Sequence, residues 1–169
     1  MKKYISAFIC GFGAGVLQVV PVAKSFSCCL IIPVAAGIAI YLDQKSKGFP
    51  GKVLSSKGAI MGLLTGLWAA FFGSIFDIFI TFITKDNELI VAFGELQKTI
   101  NSFPFSTEIK EQVIELFSSV IKQIKDYGFS PLYAFSIIFG NFIVNSLAGL
   151  VGGLISVQIF NSKQNTMMQ

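Results

Sequence analysis

Four long stretches of this chain carry almost no charge, and no other feature limits its fold as much. They are the 20 residues between Lys3 and Lys24, the 18 between Lys24 and Asp43, residues 58–84, and the 36 between Asp126 and Lys163. About 20 apolar residues in a helix cross the roughly 30 Å hydrocarbon core of a bilayer. The stretches lack the alternation of apolar and polar residues typical of membrane barrel strands. The sequence therefore predicts a helical integral membrane protein.

The composition agrees with this prediction and disfavours several other classes of protein. Apolar residues make up 53% of the chain and charged residues 13%, whereas soluble domains carry about 25% charge. All 13 basic residues are Lys, and the sequence has no His. Arg is the residue that recognises bases and phosphates in a bidentate manner, and His is the commonest metal ligand and general base. We therefore expect no enzymatic activity, no cofactor and no nucleic-acid partner, and the lipid bilayer as the main partner.

The predicted fold is all-α, a bundle of four transmembrane helices with an extramembrane amphipathic helical hairpin between helices 3 and 4. The chain forms a single membrane domain, 1–169, with spans at 4–23, 26–42, 59–84 and 131–157 and the hairpin at 86–126. Apolar residues recur at helical spacing on both sides of Pro104, which separates the two hairpin helices. Ser106 or Thr107 would cap the second of these helices, and Gly128 would end it. The hairpin is interpreted as a lid over helix ends or, alternatively, as an element for docking or gating.

The lysines between the spans predict the orientation of the chain. With the N-terminus in the cytoplasm, the inside segments sum to +6 and the outside segments to −1. Since positive loops stay on the cytoplasmic side, both termini are expected to be cytoplasmic in a multi-pass protein of the cell membrane. The first stretch also resembles a secretory signal. Its apolar run is longer than a typical signal core, however, and Pro21 occupies the minus-three position of the candidate cleavage site after Ala23.

One ionisable residue, Asp77, falls well inside a predicted span. Charged residues within membranes usually pair with other groups or line a wet path. Helix 4 presents Asn141 and Asn145 one turn apart on one face, so the sequence predicts an intramembrane polar patch of Asp77, Asn141 and Asn145. Three further residues could join it: Ser74, Thr81 and Ser146. The patch is interpreted as a clasp between helices 3 and 4, as an ion or proton site, or as Asp77 snorkelling to the outer surface.

Small residues recur at intervals of four in the predicted spans, which is the pattern that lets helix backbones approach each other. The expected helix-packing positions are Gly11, Gly15, Gly62, Gly66, Gly149 and Gly153. The same pattern permits self-association, so a homo-oligomer is an open alternative.

Two adjacent cysteines, Cys28 and Cys29, lie near the predicted outer start of the second span. Paired thiolates can bind soft metal ions. Isolated cysteines in membrane helices more often serve as small packing residues. Metal binding is therefore not expected, and a soft-metal pair at Cys28 and Cys29 stays a minor alternative.

Several short motifs carry a resemblance to a known group of proteins. They are the glycine-rich run Gly11 to Gly15, Pro21, Cys28-Cys29, the run Ala35-Ala36-Gly37-x-Ala39-x-Tyr41, and Lys57-Gly58-Ala59-x-x-Gly62-x-x-x-Gly66. In these features the chain resembles a loosely described group of small, uncharacterised prokaryotic multi-pass membrane proteins. The resemblance implies a multi-pass helical protein and brings no activity with it. The leading interpretation is a structural or assembly role, and the alternative is a small ion or solute permease that uses the patch around Asp77.

Overall fold

The computed structural model describes residues 4–48 and 51–167 and is all-helical over that part of the chain. Its seven helices are α1 (Ile5–Leu17), α2 (Pro21–Ser25), α3 (Ile32–Ser46), α4 (Ser55–Thr84), α5 (Glu88–Ser102), α6 (Thr107–Tyr127) and α7 (Pro131–Met167). One turn of π-helix, Ser27–Ile31, precedes α3. The all-α prediction is confirmed for the described residues.

Three helical segments are long and apolar enough to cross a membrane: Cys29–Ser46, Ser55–Thr84 and Pro131–Ser162. The first predicted span, 4–23, is instead divided. Helix α1 ends at Leu17 after 13 residues, or about 20 Å, and α2 begins at Pro21. The residue before a proline is driven out of the helical region, and Val20 has φ −77° and ψ 121°. Pro21 is therefore the physical cause of the break.

The structure consists of two compact units, the first formed by Met1–Phe76 with Ile138–Gln169 and the second by Asp77–Ile137. In the first unit, α4 and α7 touch through their backbones. A Cβ placed on Gly62 would collide with Gly149 O and would lie 2.9 Å from Gly153 Cα. A Cβ on Gly66 would collide with the carbonyl oxygen of Asn145. Because these positions carry no side chain, the two helices approach as closely as helices can.

Helix α1 packs on α4 by the same means. A Cβ on Gly11 would lie 2.5 Å from Trp68 Cβ, and one on Gly15 would lie 2.8 Å from Phe72 Cβ. Aromatic rings border this contact, with Phe8 edge-on to Trp68 at a centroid distance of 4.9 Å. Trp68, which the sequence places in mid-span, therefore serves helix packing.

The interior of the first unit combines many small residues with larger ones such as Ile40 and Met61, and its surface is apolar. Fully buried alanines include Ala7, Ala36, Ala39, Ala69 and Ala70. Many large apolar side chains on the same helices point outward; examples are Ile9, Leu17, Leu147, Val151 and Ile159. Large apolar patches exposed to water are rare in soluble proteins. The distribution is the one expected of helices whose outer faces contact lipid.

The second unit contains α5 and α6, which contact each other. Asn87 caps α5, with its side chain accepting from the Ile90 N–H at 3.1 Å. The cap predicted at Ser106 or Thr107 is Ser106, and Gly128 ends α6 with φ +75°. A Cβ on Gly128 would lie 2.5 Å from the Phe82 carbonyl oxygen, so glycine suits both the backbone conformation and the close contact.

The glycine contact between α4 and α7 makes a prediction about stability. We expect Gly62→Ala to lower the free energy of unfolding by on the order of 1–3 kcal/mol, because its methyl group would meet backbone atoms that cannot move aside. Gly140→Ala on α7 is the matched control, since no atom lies within 4 Å of the added carbon. Thermal unfolding of the purified full-length protein in detergent, followed by the fluorescence of its single Trp, measures the difference. Equal melting temperatures for the two variants would contradict the packing.

Candidate functional site

Two hydrogen-bonded pairs of polar side chains lie in the first unit and form what we term the amide cluster: Asn141 with Ser74, and Asn145 with Gln18. The Asn141 Nδ2 donates a hydrogen bond to Ser74 Oγ at 3.0 Å. The Asn145 Nδ2 donates to Gln18 Oε1 at 3.1 Å. Gln18, Ser74 and Asn145 are each less than 5% exposed. The cluster thus links the end of α1 to α7 with a buried hydrogen bond, and α4 to α7 with a partly buried one.

Local structure brings each of these side chains into position. Gln18 directly follows α1, at the break that Pro21 imposes. Its Oε1 lies against α4 at Gly73, where an added Cβ would come within 2.5 Å, so a larger residue there would displace the amide. Asn141 and Asn145 lie one turn apart on α7 and therefore share a face.

Sequence reasoning named Asn141, Asn145 and Ser74 but missed Gln18. The available signal was a lone amide in the apolar run 4–23, three residues before a proline. A polar residue beside a helix break is a candidate for interhelical hydrogen bonding, because the break leaves backbone N–H and C=O groups without partners in their own helix.

One polar atom of the cluster has no hydrogen-bond partner. Gln18 Nε2 is buried and donates to no acceptor. Leaving a buried donor unpaired costs on the order of 1–3 kcal/mol. The hydrogen bonds of the cluster can hold three helices together. The unpaired N–H group of Gln18 can in addition donate to a small acceptor such as water.

Asp77, the centre of the predicted patch, lies at the start of the second unit, whereas Asn141 and Asn145 belong to the first. Its side chain is half-buried. Thr81, a further predicted member, lies in the second unit and pairs with the Tyr133 hydroxyl at 3.4 Å. Each asparagine has another partner, so a single patch of Asp77, Asn141 and Asn145 stays a prediction.

A second ionisable residue lies inside a helix that the sequence analysis ended too early. Helix α3 continues to Ser46, four residues past the predicted boundary at 42, and buries Asp43 to 3% exposure. The Asp43 carboxylate accepts from Lys47 Nζ at 2.6 and 2.9 Å and forms an ion pair with Lys57. This hydrogen bond raises the pKa of Lys47 above its ordinary value. Asp43 is therefore a second acid on an apolar helix, and it lies buried in the last turn of α3.

A second contact, between Val53 and α7, lies just before the start of α4. Asn161 on α7 accepts from the Val53 N–H at 2.8 Å and donates to the Val53 carbonyl at 2.9 Å. Together with the ion pairs of Asp43, this double hydrogen bond joins the start of α4 to α3 and α7.

The cysteine pair lies in the π-helical turn Ser27–Ile31. Cys29 is exposed, and the side chain of Cys28 lies outside the described part of the structure. Within residues 4–48 and 51–162, whose side chains the structure mostly describes, no three His, Cys, Asp or Glu side chains are grouped to hold a metal ion. A soft-metal pair at Cys28 and Cys29 stays an untested alternative.

Comparisons with protein-family models, with curated proteins and with solved structures found no match to this chain. The resemblance to small prokaryotic membrane proteins therefore stays a prediction, and function is argued from geometry alone.

The amide pair of Gln18 and Asn145 makes a prediction that a double-mutant cycle tests. Gln18→Leu or Asn145→Leu alone is expected to cost about 1–3 kcal/mol of stability, because each leaves a buried partner unsatisfied. The double variant should cost less than the two single changes together, with a coupling on the order of 1 kcal/mol. Gln112→Leu on an exposed face of α6 is the control and should be nearly neutral. Strict additivity of the two single changes would show that the amides do not interact.

Proposed function

We propose that this chain is a multi-pass integral membrane protein with a structural or assembly role and no enzymatic activity. The observation that carries the proposal is the backbone contact of α4 with α7 through Gly62, Gly66 and Gly149. Helices in such contact leave no space between them for a solute. A fixed bundle of this kind is suited to holding a shape in the membrane.

In this proposal the chain crosses the membrane four times. Segments Cys29–Ser46, Ser55–Thr84 and Pro131–Ser162 meet the length and hydropathy of spanning helices. The first crossing is made by α1 and α2 together, because α1 alone is about 10 Å shorter than the hydrocarbon core. Broken helices are tolerated in membranes where the freed polar groups are buried in protein, and Gln18 lies buried at this break.

The proposed orientation places both termini in the cytoplasm and residues 85–128 outside the cell. The lysine distribution supports it. Helices α5 and α6 then form an extramembrane amphipathic hairpin. Its apolar side chains Leu89, Phe93 and Leu96 are only partly covered within the structure. Contact of this side with the outer membrane surface would remove it from water.

A second candidate, a small ion or solute permease, is favoured by one specific observation. Gln18 Nε2 is a buried donor without an acceptor, and it lies where a membrane helix is interrupted. Transporters often place their substrate sites at interrupted helices. In this candidate, the amide cluster would receive a solute, and the predicted patch around Asp77 stays a separate expectation.

Flux measurements on the reconstituted protein separate the two candidates. We expect liposomes containing the full-length protein to show no more flux of protons, Na⁺, K⁺ or Cl⁻ than protein-free liposomes. Three variants are compared with the unchanged protein: Asp77→Asn, Asn145→Leu and the exposed control Gln112→Leu.

Flux that persists in Gln112→Leu and disappears in Asn145→Leu or Asp77→Asn, with both variants still folded, would refute the structural role in favour of the permease. Absence of flux together with loss of the folded bundle in Asp77→Asn would identify Asp77 as part of a clasp.

A further inference from the structure

A cavity of about 220 Å³ opens where the N-terminal ends of α1 and α4 lie together, in the first unit. Its lining consists of Tyr4, Ser56, Lys57 and Ile60. Three of these side chains carry hydrogen-bond donors, namely a phenol, a hydroxyl and an ammonium group. Ile60 supplies an apolar wall and is itself 47% exposed. The wall of the cavity is mainly apolar, which suits a hydrocarbon chain, and its lining residues carry donor groups that suit an oxyanion.

The charges around the cavity are not balanced. Asp43 is one carboxylate shared by two ammonium groups, those of Lys47 and Lys57. Residues 43–57 hold two further lysines, Lys45 and Lys52, and both are exposed. The segment carries a net charge of +3. Since Lys57 has only a share of the Asp43 carboxylate and is 28% exposed, it retains the capacity to bind an outside anion.

The cytoplasmic ends of membrane helices lie among the phospholipid headgroups. Clusters of four or more lysines directly beside such an end are typical of binding to anionic lipids. From the cavity and this charge excess we infer that Tyr4, Ser56 and Lys57 bind the phosphate of an anionic phospholipid, with an acyl chain lying along Ile60. The inference rests on the proposed membrane orientation, which puts this end of the bundle at the cytoplasmic leaflet. Asp43 then positions Lys57 rather than neutralising it completely.

Lipid binding to the purified full-length protein tests the inference. Native mass spectrometry in detergent counts bound phosphatidylglycerol against phosphatidylcholine over a range of concentrations. We expect phosphatidylglycerol to bind more tightly, and Lys57→Gln to weaken its binding about tenfold, because a direct hydrogen bond between charged groups contributes about 1.5 kcal/mol. Lys52→Gln is the matched control, because it removes the same charge from the same segment without touching the cavity lining.

Ser56→Leu provides a second variant in case loss of the Asp43–Lys57 ion pair prevents folding. It narrows the cavity and leaves the ion pair in place, so it should also weaken phosphatidylglycerol binding. Equal weakening by Lys52→Gln and Lys57→Gln would overturn the inference, since it would show general attraction to a basic segment. So would unchanged binding in Ser56→Leu.

Inorganic phosphate is the third probe. Binding of phosphate alone with the affinity of phosphatidylglycerol would identify a site for a free anion and overturn the lipid assignment. A reporter fusion that places the termini outside the cell would instead refute the proposed orientation, without altering lipid binding in detergent. Failure of the lipid site and failure of the proposed membrane topology are thus distinguishable.

Discussion

The contact between the backbones of α4 and α7 is the interaction on which the rest of the first unit depends. Within a bilayer, apolar side chains gain little by leaving lipid for protein, so helices associate through close packing and hydrogen bonds. Glycines at 62, 66, 149 and 153 supply the close packing, because a Cβ at any of them would collide with backbone of the facing helix. A methyl group at one of these positions would separate the helices along their contact.

The amide cluster follows from this contact. The carbonyl oxygen of Asn145 lies against Gly66, so the glycine fixes the height of Asn145 on α7 relative to α4. From that position its side chain reaches Gln18, at the end of α1. One residue thus joins the backbone contact to the hydrogen bonds that hold the interrupted first helix. The hydrogen bond between Gln18 and Asn145 therefore lies at the break that Pro21 introduces, and packing of α7 on α4 places Asn145 there.

Much of the fold could be predicted from the sequence, because its strongest signals are local. Low charge over long runs indicated the apolar helices, Pro131 and Thr84 were placed correctly as helix ends, and Gly128 was identified as the end of α6. The interruption after Leu17 was missed, although Pro21 was visible, because an apolar run was read as one continuous span. Because a charge normally marks the end of a span, the sequence predicts a boundary at Asp43. Its burial depends on Lys57, which lies across an intervening loop and is not visible in local patterning.

Only part of the candidate site could be predicted from the sequence, because its hydrogen bonds join residues that are far apart along the chain. Periodicity placed Asn141 and Asn145 on one face of a helix, but it could not say which helix they face. The partner of Asn145 is 127 residues away, at a break whose position depends on the tertiary structure. Long-range pairing of this kind requires coordinates, whereas the glycine spacing already indicated that some pair of helices would be in backbone contact.

Solid-state NMR of the protein in lipid bilayers, labelled with ¹³C only at glycine Cα atoms, tests the central claim most directly. The account predicts magnetisation transfer between Gly62 and Gly153 and between Gly66 and Gly149. A Cβ on Gly62 would lie 2.9 Å from the Cα of Gly153, and one on Gly149 would lie 3.0 Å from the Cα of Gly66. Gly13 and Gly140, which have open space around them, should show no such transfer to glycines of other helices. Loss of both predicted contacts in a folded, membrane-embedded sample would contradict the account.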